Sequence, residues 1–304
     1  MSNDQRQQRV DGHQINIQGD ANIDHIGDDI SVEGGDYVVG DKIVHVHQPP
    51  SPPPNPLLTF ERLPFEPKTT FIPQGTFIMG HKEVLFASPS HDLSLSAFRI
   101  GVYPVTNREY AHFLHKTGRI ARKEQLWQGN QPPADRLEHP VSGVSWFDAI
   151  AYCDWLSKET KRPYTLPTEA HWERAARGTD GRFYPWGNTW QDGRCNPTEK
   201  TTAVNAYPPQ TESGLYDLVG NVREWTITLW GLKSTQPDPL YAYPWQADGR
   251  NSRDASAVVR RVVRGGRGKQ PEEYNCCRRG SYLPDKTGRR QDRLGFRVLL
   301  PIDN

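Results

Sequence analysis

Apolar residues in this chain fall in short clusters separated by polar turns. The stretch Phe71-Ile72-Pro73-Gln74-Gly75-Thr76-Phe77-Ile78-Met79-Gly80 reads as a strand, a turn and a strand, and Ala97-Phe98-Arg99-Ile100 as another strand. The hydrophobic period then lengthens. Thr106 is placed to cap a helix over 107–116, with Glu109 three residues on completing a capping box. Ser145 opens a second helix to about Thr160, with Asp148 in the capping-box place. Its apolar positions Trp146, Ala149, Ile150, Cys153 and Leu156 share one face. Thr168 starts a third helix that turns His171, Trp172 and Ala175 toward a core, and the helical signal stops at Gly178. The remainder is expected to be largely irregular, broken by short strands such as 258–264 and 296–300.

The N-terminal texture is different. Residues 1–14 are polar and are expected to be disordered. From 15 to 47, Gly-Asp recurs at Gly19-Asp20, Gly27-Asp28, Gly35-Asp36 and Gly40-Asp41. Between the repeats lie β-branched pieces such as Ile30-Ser31-Val32, Tyr37-Val38-Val39 and Ile43-Val44-His45-Val46. Gly and Asp suit tight turns and the pieces between suit short strands. Some thirty residues bury little by themselves, so this segment is expected to self-associate or to add strands to a partner. Residues 48–64 form a Pro-rich linker, its stiffest part being QPPSPPPNP at 48–56. The main domain is expected over 65–304.

Composition changes this picture in three ways. The 26 Gly and 26 Pro point to a loop-rich domain, whose core must come from few large side chains, among them nine Trp. The net charge of +1 hides an asymmetry: residues 260–297 hold twelve Lys and Arg against four acids, so the rest of the chain is net acidic. That basic segment suggests recognition of an acidic protein or a small anionic ligand, through Arg267, Lys269, Arg278, Arg279, Arg289 and Arg290. Arg264 and Arg297 are read instead as internal buttresses. Neither a nucleic-acid nor a membrane partner is indicated. The four cysteines do not make a disulfide framework for a chain of this length, and the polar N-terminus carries no apolar leader, so a cytoplasmic location is expected.

Motifs then narrow the reading. Val102-Tyr103-Pro104-Val105-Thr106-Asn107 follows the strand-turn-strand block. After it come His139-Pro140-Val141-Ser142-Gly143-Val144-Ser145-Trp146 and Tyr164-Thr165-Leu166-Pro167-Thr168-Glu169-Ala170-His171-Trp172-Glu173. The series closes with Tyr184-Pro185-Trp186-Gly187-Asn188, residues 214–225 (GLYDLVGNVREW), Arg264-Gly265-Gly266 and Leu294-Gly295-Phe296-Arg297-Val298. This ordered series resembles the formylglycine-generating enzyme, or sulfatase-modifying factor, family across residues 70–300. The resemblance implies an α+β fold of the C-type-lectin-like kind with much irregular loop. It also implies a structural Ca²⁺ held by the side chains of Asp217 and Glu224 and the carbonyls of Gly220 and Val222; the alternative is that Glu224 pairs with a core arginine. Oxygen-rich turns of this type suit a hard cation.

The same resemblance exposes departures. Active members hold one Cu(I) between two cysteines that follow a Gly-Gly-Ser segment, a soft metal on soft ligands. Here Arg267 replaces the serine, and Gln270 and Asn275 stand where the cysteines belong. Arg223 occupies a position that is commonly aromatic. Cys276 and Cys277 are near but adjacent, so in an extended segment they point to opposite faces. Copper is therefore not expected, and the favoured reading is a non-catalytic ligand- or protein-binding sensor, in a bacterial signalling or defence setting. Two alternatives stay open. One is a formylglycine-generating oxidoreductase with a rearranged site at Cys276 or Cys277. The other is a retroelement-diversified variable binding protein, although 267–293 is rich in Arg, Lys, Gln and Glu rather than Asn, Tyr, Ser and Asp.

Overall fold

The computed structural model describes residues 60–302, apart from 126, 266, 267, 269 and 288–292, together with two short N-terminal hairpins. The chain divides into two compact units, residues 1–54 and 55–304. In the first, β1 (Gln7–Val10) pairs antiparallel with β2 (His13–Asn16), and β3 (Tyr37–Val39) pairs with β4 (Lys42–Val44). The first hairpin falls largely within residues 1–14, where disorder was expected, so the β texture begins earlier than the Gly-Asp repeat. Asp11-Gly12 separates its strands in sequence, a pair suited to hairpin turns.

The second unit is a mixed α+β fold with much irregular chain. A three-stranded sheet runs β13 (Leu299–Pro301), β8 (Phe98–Gly101), β5 (Thr69–Ile72), all antiparallel neighbours. β6 (Gly75–Met79) pairs with β7 (His91–Leu95). A four-stranded sheet runs β11 (Gly280–Tyr282), β10 (Arg260–Arg264), β9 (Arg223–Gly231), β12 (Leu294–Gly295), with β12 parallel to β9 and the others antiparallel.

The three expected helices are present: α1 (Asn107–Thr117), α2 (Trp146–Thr160) and α3 (Glu169–Arg177). Thr106 and Ser145 both close reciprocal capping boxes, with Glu109 and Asp148 respectively, and Thr168 caps α3 through the His171 N–H. These boxes satisfy backbone N–H groups that a helix start otherwise leaves open. Gly118 ends α1 in the left-handed region. The predicted face of α2 is the buried one: Trp146, Ala149, Ile150, Cys153 and Leu156 all lie in the core.

The longest described strand, β9, stands where irregular chain was expected. From Glu224 to Gly231 every residue is buried. Trp225 and Ile227 join the core that also holds α1 and α2. The alternate positions face α3: Glu224 accepts from the Trp172 indole, and the Thr228 hydroxyl accepts from the Glu169 N–H. The sequence alternates polar and apolar residues from Glu224 to Leu229, but both faces of the strand are buried, the polar one being satisfied by hydrogen bonds rather than by water. Its indoles also tie the layers together, Trp225 Nε1 donating to the Val144 carbonyl and Trp146 Nε1 to the Thr226 carbonyl, both at 3.0 Å.

The domain also begins earlier than residue 65. The Phe60 ring lies 4.0 Å from the Arg162 guanidinium carbon, and Arg62 donates to the Glu66 carbonyl. Buried Glu66 takes Arg162 at 2.8 Å and the Tyr164 hydroxyl at 2.5 Å. The last residues counted with the linker thus belong to the body.

Ser145 is fully buried, and its hydroxyl accepts from the Asp148 N–H and donates to the Asp148 carboxylate. Ser145→Ala should therefore lower stability by about 1 kcal/mol, read as a shift of the urea midpoint at unchanged slope.

Candidate functional site

The irregular segment 270–279 rests on a buried lattice of charge supplied by α3 and β10. Glu169 and Glu173 are one helical turn apart and point the same way. Glu169 takes Arg279 through two parallel contacts of 2.8 Å. Glu173 takes Arg264 at 2.5 Å, Arg177 at 3.1 Å and the Gly80 N–H at 2.7 Å. The Tyr243 hydroxyl donates toward both carboxylates at 3.3–3.4 Å. Burial alone would push the Glu173 carboxyl up; Arg264, Arg177 and the Gly80 N–H more than reverse this and hold it below the usual range. Burial likewise opposes the Arg264 charge, but Glu173, Tyr243 and Glu169 outweigh it and raise its pKa.

This lattice fixes the backbone of the segment above it. Arg264 donates to the Cys276 carbonyl at 2.7 Å, and Arg279 to the Phe86 carbonyl at 2.8 Å. The Arg279 guanidinium also lies over the rings of Tyr243 and Trp230. Arg279, expected on a binding surface, is therefore a buried buttress: it supplies the bidentate partner of Glu169, whose other guanidinium neighbour, Arg264, stands farther off at 3.5 Å. Arg278 is half-buried and pairs with Glu273 at 3.0 Å. Arg267, Lys269, Arg289 and Arg290 lie outside the described residues. Arg264 and Arg297 are the internal buttresses the sequence suggested.

The thiols are placed no better for chemistry. Cys276 and Cys277 are both fully buried in the core that contains α3. Burial raises both thiol pKa values, so neither offers a thiolate near neutral pH. Cys153 and Cys195 are also buried with raised pKa values, the latter pushed up to about 12. Of the two residues expected from the sequence at the copper-ligand positions, Gln270 is exposed and Asn275 knits its own turn. The Asn275 amide donates to the Glu272 carbonyl at 2.7 Å and its oxygen accepts from the Cys277 N–H at 2.9 Å. Arg223, at the start of β9, reaches the Tyr282 hydroxyl at 3.4 Å.

The oxygen set named for Ca²⁺ is divided between two different arrangements. Both Glu224 oxygens face Arg297, at 2.6 and 2.7 Å, and the Trp172 indole donates to one of them at 2.9 Å. A carboxylate so neutralised does not fit a cation site. Asp217 sits in the left-handed region at φ 52° and accepts from the Asn221 amide at 2.9 Å. Burial pushes its carboxyl up to about 7. Among the described residues, no three His, Cys, Asp or Glu side chains gather into a metal-binding group. Gly220 carries a backbone requirement of its own: at φ 87° its added Cβ would stand 2.7 Å from the Asn196 carbonyl oxygen.

With that geometry in place, comparison with known proteins is direct. A family described as the sulfatase-modifying factor enzyme 1-like domain matches residues 57–302. The chain belongs to this family. Sulfatase-modifying-factor relatives include a mouse protein named inactive C-alpha-formylglycine-generating enzyme 2, 30% identical over 253 residues, which covers 64% of this chain and 80% of the mouse protein. A cattle protein named formylglycine-generating enzyme is 27% identical over 292 residues, covering 74% and 72% of the two chains. Among solved structures, PvdO from Pseudomonas aeruginosa superposes with a TM-score of 0.61 at 25% identity, covering 81% of this chain and 98% of PvdO. The family thus contains proteins named for the activity and proteins named as lacking it, so membership alone leaves the chemistry open.

Two outcomes follow from the buried charges. Glu173→Leu leaves Arg264 and Arg177 without their shared carboxylate and should cost about 3–5 kcal/mol in denaturant unfolding. For Asp217, a folded pKa of about 7 against an ordinary 3.8 means that the folded state binds the extra proton between these values. Its contribution to stability is therefore fully present below pH 3.8 and is lost as pH rises toward 7. In chelator-containing buffer, Asp217→Asn should remove that loss and unfold at a higher temperature than the parent at pH 8.

Proposed function

We propose that this chain is a non-catalytic member of the family, in which the lectin-like body serves as a recognition module. One observation carries the reading. The copper positions are Gln270 and Asn275, and the nearest thiols, Cys276 and Cys277, are sealed in the core with raised pKa values. Two thiolates on one soft ion require accessible, deprotonated sulfur converging on a point. The kinship to a protein named as inactive supports the same direction.

In this reading the basic stretch within 260–297 supplies a face for an acidic protein or a small anionic ligand, through Arg267, Lys269, Arg289 and Arg290. Residues 15–47 supply self-association, which would multiply a weak contact through avidity. The setting is cytoplasmic. Among the described residues no helix is long and apolar enough to cross a membrane.

The test is Cu(I) binding by the full chain, with Cys276→Ser and Cys277→Ser alongside, together with turnover of a sulfatase-type cysteine peptide under oxygen. Neither tight copper binding nor turnover is expected. Copper binding abolished by either serine variant, accompanied by formylglycine in the peptide, would replace this reading with the oxidase.

A further inference from the structure

Three pieces of chain meet around the indole of Trp230: the loop 81–87, the end of β9, and the strap 232–242 that follows it. The Phe86 ring stands edge-on to the Trp230 ring, 5.5 Å between centroids. The Trp230 carbonyl accepts from the Asp238 N–H at 2.8 Å, and the indole donates to the Lys233 carbonyl at 2.9 Å. Gly231 permits this fold-back: at φ 117° an added Cβ would stand 2.6 Å from the Asp238 Cβ. Arg279 ties the loop to the strap, donating to the Phe86 carbonyl at 2.8 Å and to the Tyr241 carbonyl at 3.2 Å.

Trp230 is buried, but the leucines around it are not: Leu85 is 74% exposed, Leu232 64% and Leu240 63%. Single leucines scattered over a surface need no explanation, whereas three on neighbouring segments approach the roughly 300–600 Å² of a monomer's largest, often functional, apolar patch. Their display is fixed by the backbone. Phe86 has φ 64°, a left-handed conformation that costs a bulky residue about 1–3 kcal/mol. It lays the Phe86 ring on Trp230 and leaves Leu85 outside, held there by Arg279, which is itself anchored on buried Glu169. Leu240 is fixed through Asp238, whose carboxylate caps the turn Pro239–Tyr241 by accepting from the Leu240 N–H at 3.0 Å. A pinned backbone loses little freedom when the face it carries is covered.

The rim indicates what covers this face. The loop edge carries Lys82 and Glu83, and the strap edge carries Lys233 and Asp238. All four are exposed, and among the described residues none of them forms an ion pair. With one cation and one anion on each edge the rim has no net charge, so it selects neither an acidic nor a basic partner. It does match itself. A two-fold axis through the face lays the loop edge of one copy on the strap edge of the other, and the reverse, so that each charge is offered an opposite one and the leucines meet at the centre. A stable interface needs about 800 Å² from each partner, of which the leucines supply the apolar middle and the rim the remainder. We propose that the face formed by Leu85, Leu232 and Leu240 is a two-fold interface between copies of this chain. It is separate from the self-association ascribed to residues 15–47, and it does not rest on the absence of copper chemistry.

The experiment follows the full chain by sedimentation equilibrium, with hydroxyl-radical footprinting of the same samples read residue by residue. The parent should be larger than a monomer, with Leu85, Leu232 and Leu240 protected from oxidation and Ile120, exposed beyond the end of α1, fully reactive. Leu232→Asp and Leu240→Asp should each weaken the association at least about tenfold, and in either variant the two remaining leucines should become as reactive as Ile120. Leu240→Met should keep the interface. Unchanged melting temperatures verify that the variants fold. Assembly through residues 15–47 alone gives a larger particle whose three leucines are as reactive in the parent as in the aspartate variants, and that result overturns the proposal. A monomeric parent with reactive leucines overturns it too, and leaves the face to a different protein.

Discussion

The domain depends on carboxylates of α3 and β9 meeting arginines that arrive from late in the chain. Glu169 meets Arg279, Glu173 meets Arg264, and Glu224 meets Arg297, all in the interior. Regular structure is sparse here, so backbone ladders alone cannot position the loops. The arginines do so instead: beyond their carboxylates they donate to the carbonyls of Gly101, Tyr216, Phe86 and Cys276. A guanidinium carries five N–H groups in a rigid fork, so one side chain can neutralise a buried acid and satisfy several loop carbonyls together. Burying charge is expensive in itself, and the arrangement is tolerated because almost every lone pair is used.

That lattice also decides the chemistry that is available nearby. The segment 270–279 is held from beneath by Arg264 and by its own Arg279, with its two cysteines turned into the core. The same pairing logic applies at Glu224. An acid that closes an ion pair with Arg297 and accepts an indole N–H has its oxygens committed, and Asp217 is left as a buried carboxyl that accepts from the Asn221 amide.

Much of this was legible beforehand. The three helices were announced by their caps, because an N-cap and its partner lie three residues apart and the bond between them is local. The apolar face of α2 followed from helical periodicity. The family, and with it the fold class, followed from an ordered set of motifs. β9 carries strict polar and apolar alternation from Glu224 to Leu229, a strand signal the reading of this region as irregular passed over; what the sequence did not show is that its polar half, Thr226 and Thr228, is buried as deeply as Trp225. Arg279 was misplaced because a run of basic residues looks the same in sequence whether it faces water or a buried acid.

The sequence by itself determined the helices and their ends and the family. Each of these is written in residue identity or in spacings of a few positions. Tertiary structure alone decided that Arg264, Arg279 and Arg297 are buttresses, and whether a thiol is reachable. Arg279 finds Glu169 across 110 positions, Arg264 finds Glu173 across 91, and Arg297 finds Glu224 across 73. No local pattern encodes such pairings. They are selected only when the chain closes, because a buried charge must find its complement or stay in water.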